Sequence, residues 1–160
     1  AFIISEALRY DVKGRKYIGT ETKYYFEDLG IRNAVVEFRQ FEPTHIMENV
    51  VYNDLCRNGF SVDVGLVESF KRDNNGKLTR RNLEIDFVVN RHDERLYIQS
   101  AYALPSKEKV DQEQASLLQV SDGFRKIIIA GDHYSTGYNE NGILVIGLYD
   151  FLLEKANIWK

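Results

Sequence analysis

The chain reads as an α/β domain with a mixed central sheet. Three observations carry that expectation. From residue 43 onward the pattern runs helix, strand, strand, strand, helix, strand. Lys126 to Ala130 is a continuous apolar run, as expected of a strand buried on both faces. A helix between two such strands implies at least one right-handed crossover, and hence a partly parallel sheet.

The elements follow in order. Ala1 to Tyr10 has the mixed content of a helix end, and Lys13-Gly14 signals a turn. Tyr17 to Phe26 is rich in β-branched and aromatic residues and reads as strand, and Asp28 to Val36 reads as a short helix. Pro43-Thr44 opens the clearest helix. Thr44 is its expected N-cap, Met47, Val51 and Leu55 recur at i, i+4, i+8, and Gly59 stands where a C′ glycine belongs. Ser61 to Val67 is a strand, and Asp73-Asn74-Asn75-Gly76 a strong turn signal. Leu83 to Val89 and Leu96 to Ala101 are strands joined by a polar turn over Asn90 to Glu94. Ser106 to Leu118 is a polar helix with a thin apolar seam at Val110, Leu117 and Leu118. Gly131 to Asn141 is a loop, Ile143 to Ile146 a strand and Tyr149 to Ala156 a closing helix. The division expected is an N-terminal arm, residues 1–41, and a domain over 42–160, with no internal repeat.

Composition narrows the function classes. At 160 residues the chain is one domain, or one domain with an arm, and 44% apolar residues with 12% aromatics fill a core. The net charge of −3 weighs against a domain that lives by gripping phosphate backbones, though a local basic patch stays open. The lone Cys56 excludes an internal disulfide and fits a reducing cytoplasm. No apolar run nears the roughly 18 residues needed to cross a bilayer, so no membrane partner is expected. The start, Ala1-Phe2-Ile3-Ile4, reads as mid-chain.

Two strands each carry a polar residue where an apolar one is expected: Asp86 in LEIDFVV and Gln99 in LYIQSA. These are the places of two metal-binding carboxylates in PD-(D/E)XK nucleases, where a lysine follows two residues after the second. Here Ala101 stands at the lysine position. The αβββαβ order is also that of restriction-endonuclease-like cores. Further stretches join the pattern: RYDVKGRKYIG (Arg9 to Gly19), KYYFEDLGIRNAVV (Lys23 to Val36), MENVVYNDLCRNGFSVDVG (Met47 to Gly65), EIDFVV (Glu84 to Val89), YIQSAYAL (Tyr97 to Leu104), FRKIIIAGD (Phe124 to Asp132) and GILVIGLYDFLL (Gly142 to Leu153). In this order, over nearly the whole chain, they resemble the C-terminal domain of a large family of bacterial and archaeal AAA+ ATPases. The resemblance implies a restriction-endonuclease-like αβββαβ core, an upstream ATPase module of the same chain that would bind ATP, and a winged-helix-like region between. No GxxxxGK[ST] occurs in these residues, so no cofactor is expected in this fragment by that route.

By the same resemblance Glu48, on the first helix, supplies an acid, Asp86 the second, and Gln99 takes the third place. Mg²⁺ is the ion that such a site would hold, on Glu48 and Asp86. Gln99 offers only a neutral carbonyl oxygen and Ala101 nothing, so the site reads as a relic. Each residue also has a plain structural reading. Glu48 near a helix start favours the positive helix end, and Asp86 and Gln99 could lie on the solvent face of alternating strands. If the three share a polar pocket, the relic reading wins. A lysine reaching it from elsewhere, such as Lys107 or Lys126, would favour an active nuclease instead.

Other candidates are weaker. Lys71, Arg72, Lys77, Arg80 and Arg81 crowd one hairpin, as a solvated tip guarding strand edges or as a phosphate-contacting wing. His45, His92 and His133 lack zinc-site spacing. Asp132-His133 follows a strand in a loop, a catalytic sort of place, but without a nucleophile context. Cys56 reads as a small core residue, and Tyr24, Tyr25 and Phe26 as packing. The function implied is an accessory domain of an AAA+ ATPase, a catalytically degenerate nuclease-like module for binding or assembly, with nucleic acid as the inherited ligand and a homo-oligomer as an open partner. An active metal-dependent nuclease and a pure protein–protein module are the alternatives.

Overall fold

A computed structural model describes residues 3–39, 41–72, 76–131, 134–154 and 158. The elements are β1 (Ile4–Asp11), β2 (Lys16–Phe26), α1 (Leu29–Val35), α2 (Pro43–Arg57), β3 (Ser61–Arg72), β4 (Leu78–Arg91), β5 (Glu94–Ala101), α3 (Lys107–Leu118), β6 (Arg125–Ala130), β7 (Gly137–Tyr138), β8 (Leu144–Gly147) and α4 (Leu148–Leu152). Among the described residues the strands form one eight-stranded sheet, in the order β2-β1-β3-β4-β5-β6-β8-β7. Pairing is mixed: β3, β4 and β5 form an antiparallel meander, while β5–β6 and β6–β8 are parallel. The α/β class and the mixed sheet are as the sequence predicts.

Each face of the sheet is covered by its own core. One packs Met47, Val51 and Leu55 of α2 against Phe87, Ile98, Ile127 and Ile129. The other packs Leu117 of α3 against Tyr97, Ala101, Ile128 and Ile143. Alternate residues of β6 therefore go to opposite cores, which is why the run Ile127-Ile128-Ile129-Ala130 is apolar throughout.

Several elements differ from expectation. Residues 1–10 hold no helix end in their described part. Ile4–Asp11 is strand β1, antiparallel to β2 and parallel to β3 over Arg9–Asp11. Its Ala, Leu, Glu and Arg are good helix formers, but pairing on both sides overrides so weak a preference. The arm expected over residues 1–41 is thus a hairpin within the same sheet, with Ala7 and Tyr25 in the core of α2. Helix α2 starts two residues earlier than the expected cap at Thr44: Glu42 is its N-cap, without a side-chain bond, and Pro43 takes the first turn, where no N–H is needed. Its end matches expectation. Gly59 has φ +82, and Gly59 and Phe60 donate to the carbonyls of Cys56 and Leu55. Strands β3 and β4 run longer than Ser61 to Val67 and Leu83 to Val89, and residues 73–75 of the turn between them lie outside the described residues. The loop over Gly131 to Asn141 contains the two-residue β7. Helix α4 stops at Leu152, because Leu153 caps it and Glu154 takes φ +52; residues 155–156 lie outside the described residues. Cys56 is exposed, on the outer side of α2, so it is no core residue.

Candidate functional site

Strand β4 carries the feature that builds the site. Asp63 pairs with Val88, but Gly65 pairs with Ile85, so β4 fits one more residue than β3 between these points. Asp86 and Phe87 together face Val64. Such a bulge reverses the alternation beyond it. Phe87 packs in the core of α2, yet Ile85 lies in the core of α3 together with Val88. Glu84 and Asp86 are thereby both turned to the side of α2.

There they meet a cation. Lys23 Nζ, from β2, donates to Glu48 Oε1 of α2 at 2.8 Å and to Glu84 Oε1 at 2.6 Å, and stands 3.9 Å from Asp86 Oδ1. Tyr25 OH donates to Glu48 Oε1 at 2.6 Å, and Arg9 Nη1 to Glu84 Oε2 at 2.6 Å. Asp86 Oδ2 accepts the backbone N–H of Ser100 at 2.8 Å. The cluster therefore joins three carboxylates to two cations. All but Glu84 are less than 30% exposed in their side chains, and Tyr25 is buried.

The titration of these groups follows from their settings. Burial, then the neighbouring Glu48 charge, pushes the Asp86 carboxyl up to about 7. For Glu84 burial pulls upward, but the bonds from Lys23 and Arg9 outweigh it and hold the carboxyl below its ordinary range. Burial pulls Lys23 down, and Glu48, Glu84 and Asp86 more than reverse it. Tyr25 is pushed up by burial and by Glu48, so it stays a donor. Asp86 is the odd acid: Lys23 is shared by two nearer carboxylates, and its own bond comes from a neutral amide.

Of the three residues expected to converge, two do. Glu48 and Asp86 share Lys23, but Gln99 does not join them. Its Oε1 accepts from Ser116 Oγ of α3 at 3.3 Å and from the Asp86 backbone N–H at 3.4 Å. It shares a face with Tyr97 and Ala101, which pack in the core of α3, and so sits on the face opposite the acids. The β5 residue next to Asp86 is Ser100, which is buried, with an Oγ that has no hydrogen-bond partner among the described residues. The lysine that reaches the acids is neither Lys107 nor Lys126. Lys107 lies 3.7 Å from Glu140 at the surface, and Lys126 donates to the Val120 carbonyl. Lys23, Arg9, Tyr25, Glu84 and Ser100 are the site residues that sequence reasoning missed. Lys23 had one signal, its place in the stretch KYYF, but nothing in spacing ties residue 23 to residue 86.

The acids as arranged do not fit a metal. Oxygens of Glu48 and Glu84 are already taken by Lys23, Tyr25 and Arg9, and among the described residues no group of three or more His, Cys, Asp or Glu could hold an ion. Of the histidines, His45 pairs with Glu42 at the surface and His92 is an exposed turn residue with φ +52. Asp132 and His133 lie outside the described residues. Tyr25 packs as expected, stacked on Tyr52 at 4.0 Å, whereas Tyr24 is exposed. The basic residues of the β3–β4 hairpin lie outward of this cluster along the strands, with Arg81 three residues from Glu84.

Comparison with known proteins gives one relation. An uncharacterized protein of Haemophilus influenzae is 34% identical over 154 residues, which is 96% of this chain and 34% of that protein. The chain therefore spans about a third of the length of the curated relative it matches. No family model matches the chain, and no solved structure does. Among the described residues no helix is long and apolar enough to cross a membrane.

Proposed function

We propose that this chain is a nuclease-like accessory module, of restriction-endonuclease-like type, whose acidic site is neutralised from within and serves binding or assembly rather than hydrolysis. The observation that carries the reading is Lys23. Its ammonium stands among Glu48, Glu84 and Asp86, where a metal-dependent nuclease would need a divalent ion. The order α2-β3-β4-β5-α3-β6, with β3 to β5 antiparallel and β6 parallel to β5, supports the nuclease-like core. The expected place of the module is the C-terminal part of an AAA+ ATPase in the cytoplasm. A relative about three times as long leaves room for such an upstream module.

The test is incubation of the chain with plasmid, single-stranded DNA and RNA in Mg²⁺ or Mn²⁺. No cleavage is the expected result. Cleavage that disappears in Asp86→Ala would overturn the reading and promote an active metal-dependent nuclease. One observation favours that second reading: a lysine does come within 3.9 Å of Asp86, from β2 instead of β5. It would require Lys23 to yield Glu48 and Glu84 to an ion.

A further inference from the structure

Strands β3 and β4 outrun their neighbours. β1 pairs with β3 only over Val64–Leu66, and β5 pairs with β4 only over Phe87–Arg91. From Glu68–Asn82 outward to Arg72–Leu78 the two strands pair only with each other, as a projecting two-stranded arm. Lys71, Arg72, Lys77, Arg80 and Arg81 lie on it, against Glu68 and Asp73 as the acids of the same span. The arm is thus net +3, and the remaining residues, with 16 Lys and Arg and 22 Asp and Glu, are net −6.

Register sorts the arm into two faces. Phe70 is opposite Arg80, and Arg72 opposite Leu78, so these four share one face. Ser69, Lys71, Thr79 and Arg81 share the other. Arg80 is also paired to Glu68. A solvated tip that guards strand edges accounts for the charges. It does not account for Phe70 and Leu78, which are 55% and 58% exposed between two arginines.

We infer that this arm is a binding site for single-stranded nucleic acid: Phe70 and Leu78 meet unstacked bases, Arg72 and Arg80 on the same face meet phosphates, and Lys71 and Arg81 on the other face add to the positive charge of the arm. The chemistry selects this occupant. An exposed aromatic ring beside cations suits strands whose bases are open, because every base has a face to stack. A duplex offers phosphates but no face to Phe70. The charge asymmetry of the chain steers a polyanion to the arm and away from the rest. The inference deepens the reading of the module as a binding element, and rests on it only for the ligand class.

The test is fluorescence anisotropy with a labelled mixed-sequence single strand and the matching duplex, in EDTA so that cleavage cannot intervene. Expected is single-strand binding that falls steeply between low and moderate salt. Phe70→Ala should weaken it by about tenfold, with little effect on the duplex. An Arg72→Glu/Arg80→Glu variant should lose it while melting like the wild type. Lys107→Glu, which reverses an exposed charge outside the arm, should bind normally. No binding at low salt, unchanged binding in the arginine variant, or equal loss for strand and duplex on Phe70→Ala would overturn the inference. So would loss in Lys107→Glu, which would move the site off the arm, or tighter binding of poly-glutamate, which would make the partner an acidic protein. Each of these leaves the cleavage result untouched, so failure of the arm is distinct from failure of the nuclease-derived reading.

Discussion

At the scale of single residues, the acid cluster is a problem of charge in a half-dry place. Glu48 and Asp86 are largely buried, and Lys23 is the cation that both share. Removing one partner of such a set leaves charge without compensation, which costs more than the set contributes. Lys23→Met should therefore destabilise the fold by about 3 kcal/mol, measured by urea unfolding at pH 8. Adding Glu48→Gln to it should recover part of the loss. A Lys23→Met variant as stable as the wild type would remove the cluster from the account of stability. Asp86 gives a pH dependence whose sign can be worked out. Its carboxyl titrates near 7 in the folded protein and in the ordinary range near 4 when unfolded. Between those values the folded state holds a proton that the unfolded state has released, so stability falls as pH rises from about 4 to 7. Asp86→Asn keeps an acceptor for the Ser100 N–H and cannot ionise. Its profile should be flatter across that window, though Asp54 and Asp63, also raised by burial, still contribute, and it should be more stable than the wild type at pH 8, by about 1–3 kcal/mol. A pH profile unchanged by this substitution would mean that Asp86 is not the group responsible.

At the scale of elements, the bulge in β4 decides what the sequence could and could not say. Helix α2, the meander and β6 are legible because their apolar periods are regular: i, i+4, i+8 in Met47, Val51 and Leu55, and an unbroken run in Ile127 to Ala130. Glu48 and Asp86 were legible as candidates because an acid within an apolar element is unusual. Their third partner was not. Strict alternation puts Asp86 and Gln99 opposite each other on one face, and a single extra residue in β4 between Ile85 and Val88 undoes it. Lys23 was out of reach for another reason: β2 joins the sheet beyond β1, and that order is a tertiary outcome. Gly65 sits across from the bulge, where a Cβ would come 2.8 Å from Val88 Cγ2 and 2.9 Å from the Ile85 Cβ. Both contacts are closer than packed atoms stand. Gly65→Ala should then cost about 1–3 kcal/mol and shift the β4 resonances around Asp86 in an amide NMR spectrum. Neutral stability would show that the strand can slide to accept a methyl group, and that the bulge is not held by this close approach.

At the scale of the whole molecule, the N-terminal hairpin matters more than a linker would. Its strands close one side of the sheet, its Ala7 and Tyr25 fill the core beside α2, and Val12 fills the core beside α3. Two further bonds run from α2 to the end of β2: the Asn49 carboxamide both accepts the Phe26 N–H at 2.9 Å and donates to the Phe26 carbonyl at 2.7 Å. The hairpin also brings Lys23 and Arg9, which are the cations of the acid cluster. A chain beginning at Glu42 would keep α2, the meander and α3 but lose all of these. It would expose Val51, Tyr52 and Val64 to water where the hairpin lay near. It would also leave Glu48, Glu84 and Asp86 as three acids with no ammonium among them, a charge set that favours opening of the sheet. Such a truncated chain should be poorly folded at pH 8, with broad amide resonances and rapid proteolysis. Lowering the pH should help it more than it helps the full chain, because protonation relieves the acids. A truncated chain that gave a dispersed spectrum and a sharp unfolding transition at pH 8 would restore the hairpin to the status of a separable arm. It would also free the acid cluster for a metal ion, and Mg²⁺ should then raise the melting temperature of the truncated chain but not of the full one.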